Sequence, residues 1–399
     1  MIGNQCTPQE STCPVCGSTD VDMFFEILQI PVHCNLLWTT RDEAVQAPRG
    51  DIRLGFCGHC GHVFNLSFDP SLVEYTQEYE NSLHFSPRFQ SYAESLAARL
   101  VERYDLYGKD IIEIGCGKGD FLKLLCELGG NRGVGFDPSY VPEQNDLTAA
   151  GRITFVPDFY SERYASYRAD FICCRQVLEH IQFPRIFLDS VRHAMGDRSG
   201  TVVFFEVPNV SFTLRDLGIW DLIYEHCSYF SAHSLSHLFS LCGFDVRELT
   251  EAYEAQFLCI EALPGHRMVD PVHDSWGALG ELARDVALFA NNYQSKVRMW
   301  RRDLERMALA GQRVVVWGAG SKGVTFLNAL ETQGRIRYAV DINPRKQGMY
   351  VAGTGQRIVS PGFLPEIQPD VVIVMNAVYE DEIRQIARDL GLRPEFRCA

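Results

Sequence analysis

The chain has 399 residues, of which 46% are hydrophobic and 22% charged, as in an ordinary globular protein. This length exceeds what one hydrophobic core accommodates and predicts two or three domains. The net charge of −14 disfavours nucleic acid as a partner, because phosphate backbones bind clustered Lys and Arg. No run approaches the ~18 apolar residues of a membrane span, and the N-terminus lacks the features of an export signal. We therefore expect a cytoplasmic protein that does not contact a membrane.

Two CxxC pairs near the N-terminus predict a metal site. Cys13 and Cys16 form the first pair, Cys57 and Cys60 form the second, and a glycine after each pair permits a tight turn. Four thiolates in two such pairs match the closed tetrahedral coordination of structural Zn²⁺. Reduced surface thiols and a redox pair are the alternatives, and a zinc ribbon that binds nucleic acid conflicts with the acidic composition. We predict a zinc-binding N-terminal domain over residues 1–72.

Residues 73–265 alternate helical and strand-like segments. Apolar residues at helical spacing cover 91–103, and five strand-like runs follow. These runs cover residues 110–114, 133–138, 151–156, 169–174 and 200–206. The alternation predicts an α/β domain with an open, Rossmann-like parallel sheet, in which ligands bind at the carboxyl ends of the strands.

A glycine-rich turn follows the first of these strands. It reads Glu113-Ile-Gly115-Cys-Gly117-Lys-Gly119, and such a turn lets the backbone approach a ligand at a helix N-terminus. The acidic residue at its start would repel the pyrophosphate of a dinucleotide. The motif resembles class I S-adenosylmethionine-dependent methyltransferases, in which the turn faces the methionine part of the donor. A simple packing turn is the alternative.

Residues after the next strands extend this resemblance. Asp137, at the end of the second strand, can accept hydrogen bonds from both ribose hydroxyls, although it could also cap a helix. The resemblance implies that Asp158 and Phe159 contact the adenine. The fourth strand leads to His180, which either touches the substrate or packs beside the cofactor.

Tyr224, Glu225 and His226 form the candidate catalytic group. An imidazole beside a carboxylate in an aromatic segment titrates near neutral pH and can remove a proton from carbon. Alternatively, His226 caps the helix that is predicted to start near Ser231.

The order of these motifs resembles that of a specific family. The CxxC pairs, the segment from Tyr79 to Ser86, the glycine turn, the two histidine motifs and a second glycine turn occur in one chain. This order resembles the three-domain, zinc-containing C-methyltransferases that act on nucleotide-linked 4-keto-deoxy sugars. The resemblance implies that Tyr79, Ser82 and His84 contact the substrate.

The same resemblance implies catalytic roles. His226 would abstract the proton at sugar C3, with His180 in support, and Glu225 and Tyr224 would orient the base or protonate the oxygen. Family members carry Tyr-Asp-Glu-His at this position, whereas Tyr224 directly precedes Glu225 here.

Two further regions complete the chain. Residues 266–310 read as a helical connection, and 311–399 as a second Rossmann-like domain with a Gly-x-Gly-x-x-Gly turn. With the later Asp341, this turn follows the dinucleotide fingerprint, so an NAD-dependent sugar-nucleotide oxidoreductase is one alternative. Lys322 lies inside the turn, where a cation would meet phosphate, and we expect this domain to bind the nucleotide diphosphate of the substrate. The predicted contacts are Gly318, Gly320, Ser321, Lys322, Asn343, Arg345 and Asn376.

Together these features predict an S-adenosylmethionine-dependent enzyme that methylates C3 of a nucleotide-linked 4-keto-deoxy sugar. A carbon beside a ketone becomes nucleophilic only as an enolate, which requires a base and stabilisation of the oxyanion. Methyl transfer to oxygen or nitrogen of a sugar nucleotide or another small molecule is the nearest alternative. We expect S-adenosylmethionine and structural Zn²⁺ as cofactors. We also expect a monomer, because all of the chemistry can be placed within one chain.

Overall fold

The fold comes from a computed structural model that describes residues 12–73, 79–80, 82–141, 151–265, 276–332 and 334–399. The strands are β1 Val21–Pro31, β2 Arg49–Cys57, β3 Val63–Asn65, β4 Asp110–Ile114, β5 Arg132–Phe136, β6 Ile153–Val156, β7 Phe171–Arg175, β8 Val202–Pro208, β9 Ser228–Tyr229, β10 Phe244–Ala252, β11 Phe257–Pro264, β12 Val314–Trp317, β13 Tyr338–Val340, β14 Arg357–Val359, β15 Val371–Val374 and β16 Glu395–Cys398. The helices are α1 Arg41–Val45, α2 Pro87–Arg103, α3 Asp120–Gly129, α4 Pro184–Met195, α5 Val210–Arg215, α6 Ala232–Leu241, α7 Trp276–Leu309, α8 Ser321–Ala329, α9 Leu364–Ile367 and α10 Glu380–Asp389.

A four-stranded antiparallel sheet lies next to the cysteine pairs. Its strand order is β1-β2-β3-β9, and β9 comes from the middle of the chain, directly after the Tyr224–His226 segment. Val63 of β3 pairs with Tyr229 of β9. The candidate catalytic segment is therefore anchored to the N-terminal sheet by backbone pairing.

The central sheet has seven strands in the order β10-β11-β8-β7-β4-β5-β6. Strands β4 to β8 are parallel, and β11 runs antiparallel to both β8 and β10. The central parallel strands are almost continuously apolar and buried, as expected for a sheet covered by helices on both faces. The predicted α/β fold class is confirmed.

The helix before this sheet shows how local sequence positions the site. Ser86 is the N-cap of α2, and its hydroxyl accepts a hydrogen bond from the backbone N–H of Phe89. Pro87 occupies the first helical position, where its missing N–H costs nothing. The apolar face of α2 packs on α3, so the segment 82–86 is brought to the carboxyl ends of the strands.

The C-terminal sheet has the order β14-β13-β12-β15-β16, and all of its strands are parallel. It is a second, smaller Rossmann-like unit. The long helix α7 precedes it and lies inside the predicted helical connection, while 266–275 fall outside the described residues.

Aromatic side chains join these parts in one core. The ring of Phe289 in α7 lies 5.6 Å from that of Phe25 in β1. Phe326 in α8 lies 5.0 Å from Trp220 and 5.2 Å from Trp300, between centroids. The N-terminal sheet, α7 and the C-terminal sheet therefore pack around shared apolar residues. Among the described residues, no helix is long and apolar enough to cross a bilayer.

Candidate active site

One cavity of about 440 Å³ opens between the central and C-terminal sheets. Gly115 and Gly117 of the first glycine turn line it, and so do Gly318 and Gly320 of the second. His180 and His226 line the same cavity. The two glycine turns and the two histidines, which are far apart in sequence, therefore face one space.

The first glycine turn joins β4 to α3. Gly115, Gly117 and Gly119 have φ values of +71°, +53° and +79°, a region that favours glycine. A Cβ on Gly119 would overlap the ring of Phe155, so a larger residue is excluded by contact as well as by conformation. Gly119 is also the N-cap of α3 and supplies no side-chain cap. The helix N-terminus is thus left available to a ligand.

Glu113 ends up buried at the base of this turn. Its side chain lines the cavity, and its Oε2 has no hydrogen-bond partner in the described structure. Burial raises the pKa of this carboxyl to about 8, opposed in part by Arg175. An unsatisfied buried carboxyl beside the turn fits a ligand with a donor group, such as the amino group of a methionine moiety.

The other residues predicted to contact the methyl donor, Asp137, Asp158 and Phe159, do not line the cavity. Asp137 accepts hydrogen bonds from the N–H of Gly117 at 2.9 Å and the N–H of Ser139 at 2.8 Å. Asp158 pairs with Arg163, and Phe159 is 63% exposed. The structure therefore brings Asp137 to the glycine turn, leaves Asp158 paired with Arg163, and leaves the Phe159 ring largely exposed.

His180 and His226 meet edge to face. Their ring centroids are 4.8 Å apart with an interplanar angle of 85°. Nδ1 of His180 lies 3.0 Å from the carbonyl oxygen of Glu225. Because a carbonyl can only accept, this nitrogen carries the proton in the neutral ring, and Nε2 keeps its lone pair. Burial lowers the pKa of both imidazoles, and the neighbouring His180 lowers that of His226 further.

Tyr224 and Glu225 point away from the cavity. The Tyr224 hydroxyl accepts a hydrogen bond from the N–H of Asp69 at 2.8 Å, and its ring packs against Gly50. Oε2 of the fully buried Glu225 accepts from the N–H of Cys34 at 3.0 Å. This geometry corrects the expectation that either side chain protonates the substrate oxygen. Both instead hold the His226 segment against the N-terminal sheet.

The segment before α2 reaches the cavity, and its contact with a substrate stays a prediction. Tyr79, Ser82 and His84 line the cavity. Glu80, between them, accepts hydrogen bonds from Asn343 Nδ2 and Arg345 Nη1, each at 3.0 Å. Arg345 therefore contacts this segment and does not line the cavity.

The second glycine turn joins β12 to α8. Besides its glycines, Ser321, Lys322, Asn343 and Asn376 line the cavity. Lys322 Nζ is 3.0 Å from Oδ1 of Asp221, so its charge is already paired. The carboxylate of Asp341 accepts the N–H of Ala319 at 2.9 Å, which holds the turn.

Sequence reasoning missed several cavity residues. The side chain of Arg175 is 8% exposed, pairs with Glu206 at 3.0 Å and lies over the ring of Phe121. Asn35 and Lys346 join the cavity from opposite ends of the chain. The position of Arg175 at the end of a parallel strand could have indicated it, whereas Asn35 stands in no recognisable motif.

The four cysteines converge. Sγ of Cys13 lies 3.6 Å from Sγ of Cys60, and Cys16 and Cys57 are separated by the same distance. All four sulfurs lie within 4.8 Å of one another. Tetrahedral Zn–S bonds of about 2.3 Å would place sulfurs about 3.8 Å apart, so the four thiols fit a structural Zn²⁺. The identity of the metal stays a prediction.

Two protein families match this chain. Residues 88–249 match the family described as "Methyltransferase domain", and residues 282–392 match "C-methyltransferase C-terminal domain". The C-methyltransferase NovU of Streptomyces niveus is 28% identical over 302 residues, which are 71% of this chain and 70% of that protein. A ubiquinone biosynthesis O-methyltransferase of Actinobacillus pleuropneumoniae is 28% identical over 114 residues, which are 26% of this chain and 47% of that protein.

Solved structures resemble part of the fold. A 1,6-didemethyltoxoflavin-N1-methyltransferase of Burkholderia thailandensis matches 51% of this chain and 96% of its own, with a TM-score of 0.35 at 16% identity. RosA of Streptomyces davawensis matches 44% of this chain and 54% of its own, with a TM-score of 0.36 at 20% identity. Similarity at this level carries no conclusion about function.

The fold, the donor turn and the first family match make this protein an S-adenosylmethionine-dependent methyltransferase. The chain joins a segment that matches the methyltransferase domain to one that matches the C-methyltransferase C-terminal domain, and the predicted resemblance to the C-methyltransferases is confirmed. The second glycine turn lies within the C-terminal match, which favours this assignment over an NAD-dependent oxidoreductase.

Proposed function

We propose that this protein transfers a methyl group to C3 of a nucleotide-linked 4-keto-deoxy sugar. The observation that carries the proposal is a single cavity lined by both glycine turns and by the His180–His226 pair. A donor at the first turn and a nucleotide-bearing acceptor at the second would meet beside two imidazoles. Such a meeting is what carbon methylation of an acidic C–H requires.

The first turn and its surroundings would hold the donor. Gly115 and Gly117 leave room for a ligand beside the turn, the N-terminus of α3 offers backbone N–H groups, and Glu113 offers a carboxyl for the donor's amino group. Asp137, already hydrogen-bonded to the turn, is the candidate ribose ligand. Bound S-adenosylmethionine would supply an electrophilic methyl group.

His226 would act as the base. Its lowered pKa keeps the imidazole neutral at pH 7, so it can accept the C3 proton that the adjacent ketone makes acidic. His180, with Nδ1–H fixed by the carbonyl of Glu225, presents Nε2 to the cavity as an acceptor for a sugar hydroxyl. Tyr224 and Glu225 are positioning residues, because their contacts with Asp69 and Cys34 fix the backbone just before His226.

A test separates carbon methylation from transfer to oxygen or nitrogen. The enzyme is incubated in D₂O with a nucleotide 4-keto-deoxy sugar and S-adenosylhomocysteine, which cannot methylate. Exchange of the C3 proton, followed by NMR, is the expected result, since an enolate forms without transfer. In a parallel reaction with methyl-deuterated S-adenosylmethionine, the label should map to C3.

Either of two results contradicts the proposal. A labelled oxygen or nitrogen without carbon exchange favours the other acceptor class. Donor binding without labelling of any keto sugar, across several nucleotide bases, removes the keto-sugar claim and leaves the methyltransferase assignment unchanged.

A further inference from the structure

We propose that Lys346, held by Asn35 of the N-terminal region, binds a phosphate group of the acceptor. This inference rests on the proposed function, because it names the residue that recognises the anionic part of that substrate. The acceptor class it requires is a phosphate or diphosphate ester.

Lys346 is a buried cation without a carboxylate partner. Its side chain is 6% exposed and lines the cavity. Nζ donates to Oδ1 of Asn35 at 3.1 Å, and in the described parts of the chain no carboxylate oxygen lies within 4 Å of it. A buried charge whose only hydrogen-bond partner is a neutral amide is costly, so binding of an anion beside it would be strongly favoured.

The other lysine of this region is already neutralised. Lys322 Nζ lies 3.0 Å from Asp221 and also reaches Oε1 of Gln256 at 3.5 Å. The sequence assigned phosphate binding to Lys322 because it stands inside the glycine turn. Because Asp221 already neutralises Lys322, we assign phosphate binding to Lys346, which has no carboxylate partner among the described residues.

The position of Lys346 adds a second reason. Its Nζ lies 3.7 Å from the place that a Cβ on Gly320 would occupy, directly over the turn that begins α8. Gly320 is the N-cap of this helix and supplies no side-chain cap. An anion beside Lys346 would therefore also meet free backbone N–H groups at a helix N-terminus.

Asn35 fixes this arrangement from the N-terminal region. Its Nδ2 donates to Oγ of Ser321 at 3.3 Å, while its Oδ1 accepts from Lys346. The preceding residue, Cys34, donates its N–H to Glu225. The part of the chain that carries the cysteine pairs thus contributes directly to acceptor binding.

The test uses calorimetry on the full, zinc-loaded protein with inorganic pyrophosphate and then thymidine, uridine and guanosine diphosphates. Lys346→Met should weaken the binding of pyrophosphate by about 30-fold or more, because the cation that pairs with the phosphate is removed. The same loss is expected for whichever nucleoside diphosphate the wild type binds. Lys346→Arg should retain most of it. The matched control is Lys109→Met, which removes a lysine at the start of β4 outside the cavity lining. S-Adenosylhomocysteine affinity should stay within about twofold in every variant.

Asn35→Asp supplies an independent test with the lysine in place. Its carboxylate would pair with Lys346 and should weaken pyrophosphate binding by about tenfold or more. Equal binding in wild type and Lys346→Met overturns the inference, as does a wild type that binds no diphosphate. C3 methylation by the wild type is measured separately, so a working methyl transfer without this anion site rejects the inference and retains the proposed function.

Discussion

The two glycine turns share a backbone design and differ in the charges around them. In both, the first glycine donates its N–H to the last residue of the next strand, from Gly115 to Phe136 at 2.7 Å and from Gly318 to Val340 at 2.8 Å. In both, an aspartate after that strand accepts another N–H of the turn, Asp137 in the first and Asp341 in the second. The backbone therefore does not distinguish a donor site from an acceptor site.

Side chains supply the distinction. The first turn begins with the buried carboxyl of Glu113, whose Oε2 lacks a hydrogen-bond partner among the described residues, and this suits a ligand with a positive group. The second follows Trp317 and lies under Lys346, which suits an anion. One backbone motif can therefore suit ligands of opposite charge when the charged side chains beside it differ.

The largest expected effect is at the histidine shared by both sites. His226→Asn should lower the rate of methyl transfer about 1,000-fold, because the base that accepts the proton is lost. Both ligands should still bind, since neither turn is altered. Single-turnover kinetics and calorimetry with S-adenosylhomocysteine measure these two properties, and loss of donor binding would mean that His226 is structural.

A matched pair of glycine substitutions should separate the two turns. Gly119→Ala forces an alanine to φ +79° against Phe155, and Gly323→Ala places a Cβ against the carbonyl oxygen of Gly318. Each should weaken its own ligand about tenfold or more and leave the other ligand within about twofold.

The control for this pair is Gly200→Ala, where a Cβ meets nothing within 4 Å. Circular dichroism confirms folding before titration with S-adenosylhomocysteine and with a nucleoside diphosphate. If both substitutions weaken both ligands equally, the turns do not bind separate molecules.

The last expected effect concerns stability and not ligand binding, and it is a pH-dependent gain at the first turn. Burial raises the pKa of Glu113 from 4.5 to about 8, so the folded protein holds a proton that the unfolded chain releases. This group therefore destabilises the fold increasingly as the pH rises from 4.5 to 8. Glu113→Gln should raise the free energy of unfolding at pH 8 by at most about 4 kcal/mol and have little effect near pH 4.5.

Thermal unfolding at several pH values measures this difference. An equal effect of the substitution at both ends of the range would show that folding does not raise the pKa of this carboxyl. Donor affinity of the same variant tests whether the carboxyl also contacts the ligand.

Local signals explain what could be predicted. Strand periodicity, the glycine spacing and the paired cysteines each lie within a few residues, and the structure brings them to one α/β sheet, one cavity and one sulfur cluster. The directions in which neighbouring side chains point could not be predicted from such local patterns. Tyr224 and His226 are two residues apart, yet the Tyr224 hydroxyl bonds to the N–H of Asp69 whereas the His226 ring lines the cavity.

The fold class, the first glycine turn and the family resemblance could be predicted from the sequence, because they depend on short local patterns. Which lysine beside the second turn lacks a carboxylate partner follows only from the three-dimensional structure. Asp221 neutralises Lys322, and Asn35 holds Lys346 across 311 residues of chain. Charge at a site is a sum over neighbours in space, and most of those neighbours are distant in sequence.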